Sequence, residues 1–289
     1  MTPARPRGDV RTWLAFVKFE HTLFALPFAY AGMVLAARGW PGAGTFALVT
    51  LAMVGARTAA MAINRVVDAS IDARNPRTAD REIPAGRLTR RDGVLLALAG
   101  LAALAVAGWA LNPLTAALLP VAVAFLVAYP WTKRVTWACH AWLGVTIGAA
   151  AAGGAIAVTG RFDAEAVLLW IAVAAWIAGF DVLYALLDLD FDRRHGVHSV
   201  PARFGARGAA AISAGAHAVA LAALLALPAV GPLGGPYLAV VAFGVAPLLV
   251  AQQLLVRRRG AAAALRAFNA NLWVSGLVLA GVALDLTLR

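Results

Sequence analysis

The sequence predicts an all-α integral membrane protein, a bundle of nine transmembrane helices around a central cavity, with its N-terminus in the cytoplasm. Three observations predict this class: 62% of the 289 residues are hydrophobic, 13% are charged, and the mean hydropathy is +0.79. Soluble domains carry about 45–50% apolar and about 25% charged residues, so a soluble enzyme and a disordered chain are both excluded. Because one helical crossing needs about 20 apolar residues, we expect a single membrane domain over residues 1–289.

Apolar runs separated by Gly, Pro and charged clusters define the predicted helices. In chain order they cover residues 12–37, 45–72, 92–110, 113–130, 138–158, 165–189, 207–228, 236–256 and 265–286. Small residues at 149–155 (AAAAGGA) predict close helix packing in the fifth of them. The basic first residues lack the apolar core of a secretory signal, so no cleaved signal peptide is expected. The single cysteine, Cys139, cannot form an internal disulfide.

The basic residues alternate between the two sides of the predicted membrane. Of the 25 Lys and Arg residues, 20 fall in the N-terminal segment and in every second loop, whereas Arg38, Arg161 and Arg289 fall on the other side. The positive-inside rule then predicts a plasma or inner membrane protein with a cytoplasmic N-terminus. The same rule accounts for the net charge of +11 without a nucleic-acid partner.

Eight of the 14 acidic residues fall in two clusters, each at the cytoplasmic end of a predicted helix. A four-residue spacing places side chains on one helical face. In the first cluster this face carries Asn64, Asp68 and Asp72. In the second it carries Asp181, Tyr184, Asp188 and Asp192, and Asp190 points elsewhere.

Two interpretations account for these carboxylates. They form either a salt-bridged interface with the loop arginines or a site for divalent cations. Mg²⁺ is usually held by one or two carboxylates together with water and phosphate oxygens. Because both clusters lie on one side and run into arginines, the pattern favours metal plus phosphate. The competing interpretation is a cation- or proton-coupled transporter of lipids or small molecules, but its acids would tend to lie near the membrane midplane.

A diphosphate also needs basic side chains that neutralise its remaining charge. The sequence offers Arg74, Arg77, Arg81, Lys133 and Arg134 for this role. For any one of them, the alternative is a solvated loop charge. Lys133 and Arg81 are favoured, because they lie in the short patterned segments YPWTKR and NPRTADREIPAGR rather than in a run of charges.

Four segments resemble the UbiA-type intramembrane aromatic prenyltransferases. They are NRVVDASIDARNPRTADREIPAG, DVLYALLDLDFDRRHGVHSVPARFG, FEHTLFALPFAYAG and AYPWTKRVTW. The similarity spans residues 13 to about 205. Within the family it is greatest to the 4-hydroxybenzoate polyprenyltransferase group. That group includes members acting on 1,4-dihydroxy-6-naphthoate in the futalosine route to menaquinone.

The resemblance implies a magnesium-dependent transfer of a polyprenyl group from polyprenyl diphosphate to an aromatic carboxylic acid in ubiquinone or menaquinone biosynthesis. It implies one magnesium at Asn64, Asp68 and Asp72, and another at Asp188 and Asp192. These four aspartates are the expected catalytic residues, and Lys133 is expected to contact the diphosphate. Arg65 departs from the pattern, because many members have Asp there. Other acceptors, namely haem, a chlorophyllide, homogentisate or a glycerol lipid, remain open.

An aromatic acid also needs a partner for its carboxylate. Arg57 lies inside the second predicted helix, where charge is costly and indicates a function; its alternative role is a structural partner of Glu20. Glu20, Tyr184 and Asp181 are expected to contact the aromatic substrate. For Tyr184 the alternative is ordinary placement at the membrane interface. His140 and His217 have no evident partner in the sequence and are interpreted as packing residues.

Overall fold

The computed structural model describes residues 8–18 and 22–289, with side chains for 8–18 and 25–289. Within these ranges all regular secondary structure is helical. The α-helices are α1 (Val10–Phe16), α2 (Thr22–Ala37), α3 (Ala43–Asp72), α4 (Arg90–Leu111), α5 (Pro113–Thr132), α6 (Cys139–Thr159), α7 (Ala164–Tyr184), α8 (Leu189–His195), α9 (Val200–Ala226), α10 (Gly235–Val240), α11 (Ala246–Arg259), α12 (Ala264–Asn269) and α13 (Asn271–Thr287).

Eight helical segments in the described part of the chain are long and apolar enough to cross a membrane. They correspond to the second to ninth predicted spans. The first predicted span, 12–37, is wrong as one continuous helix. Helix α1 ends at Phe16, and Lys18 adopts a left-handed backbone with φ of 50°. Ala25–Ala37 is a shorter apolar helix, so nine crossings and the cytoplasmic N-terminus stay predictions.

The long helices pack side by side around the bundle. Helix α2 packs on α6, α6 on α7, and α7 on α9, while α13 returns to α2. Small residues permit the closest of these contacts. A Cβ atom at Gly154 would overlap the carbonyl oxygen of Ala29, and one at Gly32 would overlap that of Ala151. The close packing predicted for residues 149–155 is therefore confirmed at the α2–α6 contact.

Apolar side chains fill the interior and also cover much of the outside. Phe28, Trp176 and Tyr237 are buried, whereas Trp109 and Phe243 are 75% and 85% exposed. Water would disfavour such large exposed apolar groups, but lipid does not. The outer surface therefore suits a membrane.

One end of the bundle, called the basic end below, is formed by the α3–α4 connection, the α5–α6 connection and α8. The α3–α4 connection folds back on its helix, because the Thr78 hydroxyl donates to the carbonyl oxygen of Asp72 at 3.1 Å. The sixth predicted helix, 165–189, is interrupted, since α7 ends at Tyr184 and a 3₁₀ turn, Ala185–Asp188, leads into α8. Helix α9 starts earlier than the predicted residue 207, because Ser199 caps it at Val200.

Candidate functional site

A cavity of about 220 Å³ lies at the basic end of the bundle. Its wall comes from the end of α3, the α3–α4 connection, the α5–α6 connection, the end of α7, and the α8–α9 region. Nine residues that the sequence predicted for the site line it: Asn64, Asp72, Arg77, Arg81, Lys133, Asp181, Tyr184, Asp188 and Asp192. The two acidic clusters therefore face one common chamber.

Asp68 lies just behind this wall and is fully buried. Its Oδ2 accepts hydrogen bonds from Lys133 Nζ at 2.5 Å and from Asn64 Nδ2 at 2.8 Å. Arg134 Nη2 lies 3.4 Å from Oδ1. A buried carboxylate needs such compensation, because the loss of hydration is costly. Lys133, which does line the cavity, thus connects Asp68 to the chamber.

Asp72 ends helix α3 and is paired within its own segment. Arg81 Nη1 donates to both carboxylate oxygens of Asp72 at 2.8 Å. The folded α3–α4 connection brings these two residues together. The first acidic cluster therefore presents its charge next to a guanidinium group on the cavity wall.

Asp188 is held from across the cavity by the α3–α4 connection. Its Oδ1 accepts from Asn75 Nδ2 and Arg77 Nε, both at 2.8 Å, and its Oδ2 accepts from Arg77 Nη2 at 2.5 Å. Arg77 also donates to the Tyr184 hydroxyl at 3.1 Å. Burial alone would lower the pKa of Arg77, but the hydrogen bond to Asp188 and that residue's charge raise it. Arg77 therefore stays cationic.

Asp192 differs from Asp181 and Asp188, because its hydrogen-bond partner is a hydroxyl group. Ser199 Oγ donates to Asp192 Oδ2 at 2.8 Å, and both side chains are buried. Asp190 is exposed, in agreement with its predicted direction away from the shared face.

Several predicted residues lie outside the cavity wall. Arg74 is exposed and donates to the Ser70 carbonyl within its own segment. Arg134 donates to the Val67 carbonyl and lies over the Trp131 ring. Arg57 is half-buried in α3, about two helical turns before Asn64 of the wall. Glu20 lies outside the described residues.

The sequence reasoning missed other residues of the site. His140 lines the cavity, and its Nδ1 lies 2.6 Å from Asp181 Oδ2, so its interpretation as a packing residue without a partner is wrong. The partner lies on a different helix, and no sequence pattern indicates the contact. Asn75 was also missed, although Asn before Pro76 is typical of a turn that orients its side chain.

The oxygen donors of the cavity fit magnesium. Within residues 8–18 and 22–289, no three His, Cys, Asp or Glu side chains converge into a complete metal site. Mg²⁺ seldom needs one, since one or two carboxylates with phosphate oxygens and water suffice. Asn64, Asp72, Asp188 and Asp192 supply such oxygens around the chamber, and hard oxygen donors of this kind suit Mg²⁺.

Comparison with known proteins is consistent with this arrangement. The model of the UbiA prenyltransferase family matches residues 25–275. A protein of Alkalilimnicola ehrlichii named 4-hydroxybenzoate octaprenyltransferase is 35% identical over 260 residues, which are 89% of this chain and 87% of that protein. A Thermus thermophilus protein named protoheme IX farnesyltransferase is 34% identical over 284 residues, 95% of this chain and 46% of that protein.

Solved structures agree on the fold. The apo structure of a UbiA homolog from Aeropyrum pernix K1 superposes with a TM-score of 0.83 at 35% identity, covering 92% of this chain and 98% of that one. A UbiA homolog from Archaeoglobus fulgidus bound to DMAPP and Mg²⁺ has a TM-score of 0.69 at 15% identity, with 94% and 99% coverage. At 15% identity, the similarity to the Archaeoglobus fulgidus structure shows a shared fold and nothing more.

Proposed function

The chain belongs to the UbiA prenyltransferase family, and from this premise we propose that it transfers a polyprenyl group from polyprenyl diphosphate to an aromatic carboxylic acid. The proposed acceptor is 4-hydroxybenzoate or 1,4-dihydroxy-6-naphthoate, and the reaction belongs to quinone biosynthesis and depends on magnesium. One observation carries the proposal: carboxylates from α3 and from the α7–α8 region line a single cavity together with Arg77, Arg81 and Lys133. The 4-hydroxybenzoate octaprenyltransferase relative supports the acceptor class.

The diphosphate would bind by an exchange of ion-pair partners. Arg77, Arg81 and Lys133 are each paired with an aspartate. A diphosphate entering the cavity offers them phosphate oxygens, which bind guanidinium and ammonium groups strongly. The aspartates released in this exchange, with Asn64 and Asp192, would hold magnesium. Bound magnesium supplies positive charge that offsets the charge of the diphosphate.

The same basic side chains would lower the barrier to reaction. The allylic carbon–oxygen bond breaks, and the diphosphate gains negative charge as the bond lengthens. Arg77, Arg81 and Lys133 stabilise this growing charge more than the ground state, which accelerates the chemical step. The aromatic ring, bound next to the allylic carbon, would capture the allylic cation ahead of water.

Membrane placement follows from the two substrates. A polyprenyl chain dissolves in lipid, whereas the aromatic acid is a small polar molecule. We propose that the cavity opens on the cytoplasmic side of the plasma or inner membrane, which is supported by the concentration of Lys and Arg at the basic end. The prenyl donor would then enter from lipid and the acid from the cytoplasm.

The direct test is an acceptor panel. The protein in liposomes is given Mg²⁺, a labelled prenyl diphosphate, and in turn 4-hydroxybenzoate, 1,4-dihydroxy-6-naphthoate, protohaem, homogentisate or a glycerol lipid. We expect a prenylated aromatic acid and no product in the presence of a chelator. The name of the Thermus relative refers to protoheme IX. If protohaem were the one acceptor that is prenylated, this result would contradict the proposed acceptor.

Cys139 offers a measure of diphosphate binding that is independent of turnover. It lines the cavity and is the single cysteine of the sequence. With geranyl diphosphate at about ten times its Kd and Mg²⁺ present, we expect maleimide alkylation of Cys139 to slow about tenfold. Alkylation of Ala261→Cys in a Cys139→Ala background, an exposed position outside the cavity, should not change. Equal rates at both positions would place the ligand elsewhere.

We propose that Arg57 binds the acceptor carboxylate. Arg57→Ala should raise the KM of the aromatic acid by roughly 10- to 100-fold, because a hydrogen-bonded ion pair contributes about 1.5–3 kcal/mol. The KM of the prenyl diphosphate should stay near its original value. Phenol, which lacks the carboxylate, serves as the matched acceptor, and its turnover should be insensitive to the substitution. Equal changes for both substrates would remove this role.

A further inference from the structure

His140 and Asp181 form an acid–base pair on the cavity wall. They come from the start of α6 and from α7, and both line the chamber. His140 Nδ1 lies 2.6 Å from Asp181 Oδ2. The His140 side chain is 7% exposed and that of Asp181 is 24% exposed. The carboxylate is therefore the more accessible member of the pair, and the imidazole is the more deeply buried one.

The other carboxylates of the chamber are engaged differently. Asp72 accepts from Arg81, Asp188 accepts from Arg77 and Asn75, and Asp192 accepts from Ser199. Asp72, Asp188 and Asp192 are also proposed magnesium ligands. Bound magnesium would therefore occupy lone pairs of their carboxylate oxygens. Among the described residues, Asp181 is the cavity carboxylate whose partner is an imidazole. The contact with His140 uses Oδ2, and no other described residue hydrogen-bonds to Oδ1.

Prenylation of an aromatic carbon requires a proton acceptor. As the ring attacks, the carbon–oxygen bond of the prenyl diphosphate breaks, and its electron pair leaves with the diphosphate. A ring electron pair forms the new carbon–carbon bond. The ring carbon that gained the prenyl group then loses its hydrogen, and the electrons of that carbon–hydrogen bond restore the aromatic system. The proton needs a base close to the ring.

We propose that Asp181 accepts this proton at Oδ1, and that His140 is the positioning residue that holds Asp181 for the task. This inference rests on the proposed function. His140 acts through Asp181, because its Nδ1 is occupied by Oδ2 and its Nε2 is buried. An N–H at Nδ1 fixes the direction of the carboxylate, in the way that a second group orients a catalytic base.

The pair is tested with an acceptor acid that carries deuterium on the ring carbons. In the unsubstituted protein we expect little isotope effect, because the proton leaves faster than the carbon–carbon bond forms. Asp181→Asn should lower kcat by about 10²–10⁴-fold, the usual contribution of a general base. His140→Gln should lower kcat about tenfold. In both variants proton loss becomes rate-limiting, so we expect an isotope effect of about 2 or more, with the KM of the prenyl diphosphate unchanged.

His217→Gln is the matched control. His217 is also a buried helical histidine, and it contacts Gln253 away from the cavity. This variant can lose stability, but it should show no isotope effect. Suppose that the unsubstituted protein prenylates the acid but His140→Gln shows no isotope effect. This result would overturn the inference about the pair and leave the proposed function standing. Absence of ring prenylation by the unsubstituted protein would reject the proposed function, and this inference with it.

Discussion

Asp188→Asn is expected to lower the rate of prenyl transfer by about 10²–10³-fold, the range seen when one preorganised charge-stabilising group is removed. Both oxygens of Asp188 accept hydrogen bonds, from Arg77 and Asn75. The substitution keeps the size of the side chain but removes its charge. It therefore weakens the proposed magnesium site and also frees Arg77 from its position across the cavity.

The chain supplies a close control for this experiment. Asp190 lies two positions further on, is exposed, and does not line the cavity. Asp190→Asn removes the same charge from the same segment and should leave the transfer rate within a factor of about 2, since exposed substitutions usually have small effects. Equal losses in the two variants would indicate a general effect of charge. Full activity of Asp188→Asn would contradict the proposed site.

Lys133→Gln is expected to affect both activity and stability. Lys133 Nζ lies 2.5 Å from the fully buried Asp68 carboxylate. Loss of one charged hydrogen-bond donor should raise the KM of the prenyl diphosphate by roughly 10- to 100-fold. The free energy of unfolding should fall by about 1–3 kcal/mol. That is less than the ~3–5 kcal/mol for a fully buried pair, because Lys133 is partly exposed and Arg134 remains beside Asp68.

A double variant separates these two effects. In Asp68→Asn/Lys133→Gln, the buried position 68 no longer carries a carboxylate that needs a cationic partner, so thermal stability in detergent should recover most of the loss. Prenyl transfer should not recover, because both charges are absent from the site. Arg91→Gln, an exposed cation of α4, should change neither quantity. Recovery of activity together with stability would assign the ion pair a purely structural role.

Most membrane helices could be predicted from the sequence, because lipid imposes a simple length rule on apolar segments. The prediction was wrong for residues 12–37, where α1 ends at Phe16. Lys18, Glu20 and His21 follow Phe16 in the sequence, but averaging hydropathy over a whole predicted span masks such a short polar stretch. The interruption of the sixth span at Tyr184 was missed for the same reason. Hydropathy averages over about 20 residues and does not resolve a single 3₁₀ turn.

The acidic clusters could also be predicted, because a four-residue spacing places side chains on one helical face. This placement does not depend on which helix packs against that face. Spacing says nothing about which basic residue reaches which acid. Arg77, Arg74 and Arg81 lie in one short segment, yet Arg77 crosses to Asp188, Arg81 returns to Asp72, and Arg74 binds its own backbone. The course of the α3–α4 connection decides among them.

The sequence by itself determined a membrane bundle and two carboxylate-bearing helix faces, because both follow from local composition and periodicity. Only the tertiary structure decided that the two faces share a chamber and that Asp181 contacts His140. Those contacts join residues far apart in the chain, here on α6 and α7. Their physical cause is the packing of α6 on α7, where a Cβ atom at Gly144 would overlap the carbonyl oxygen of Ala174, and no pattern within one helix specifies that contact.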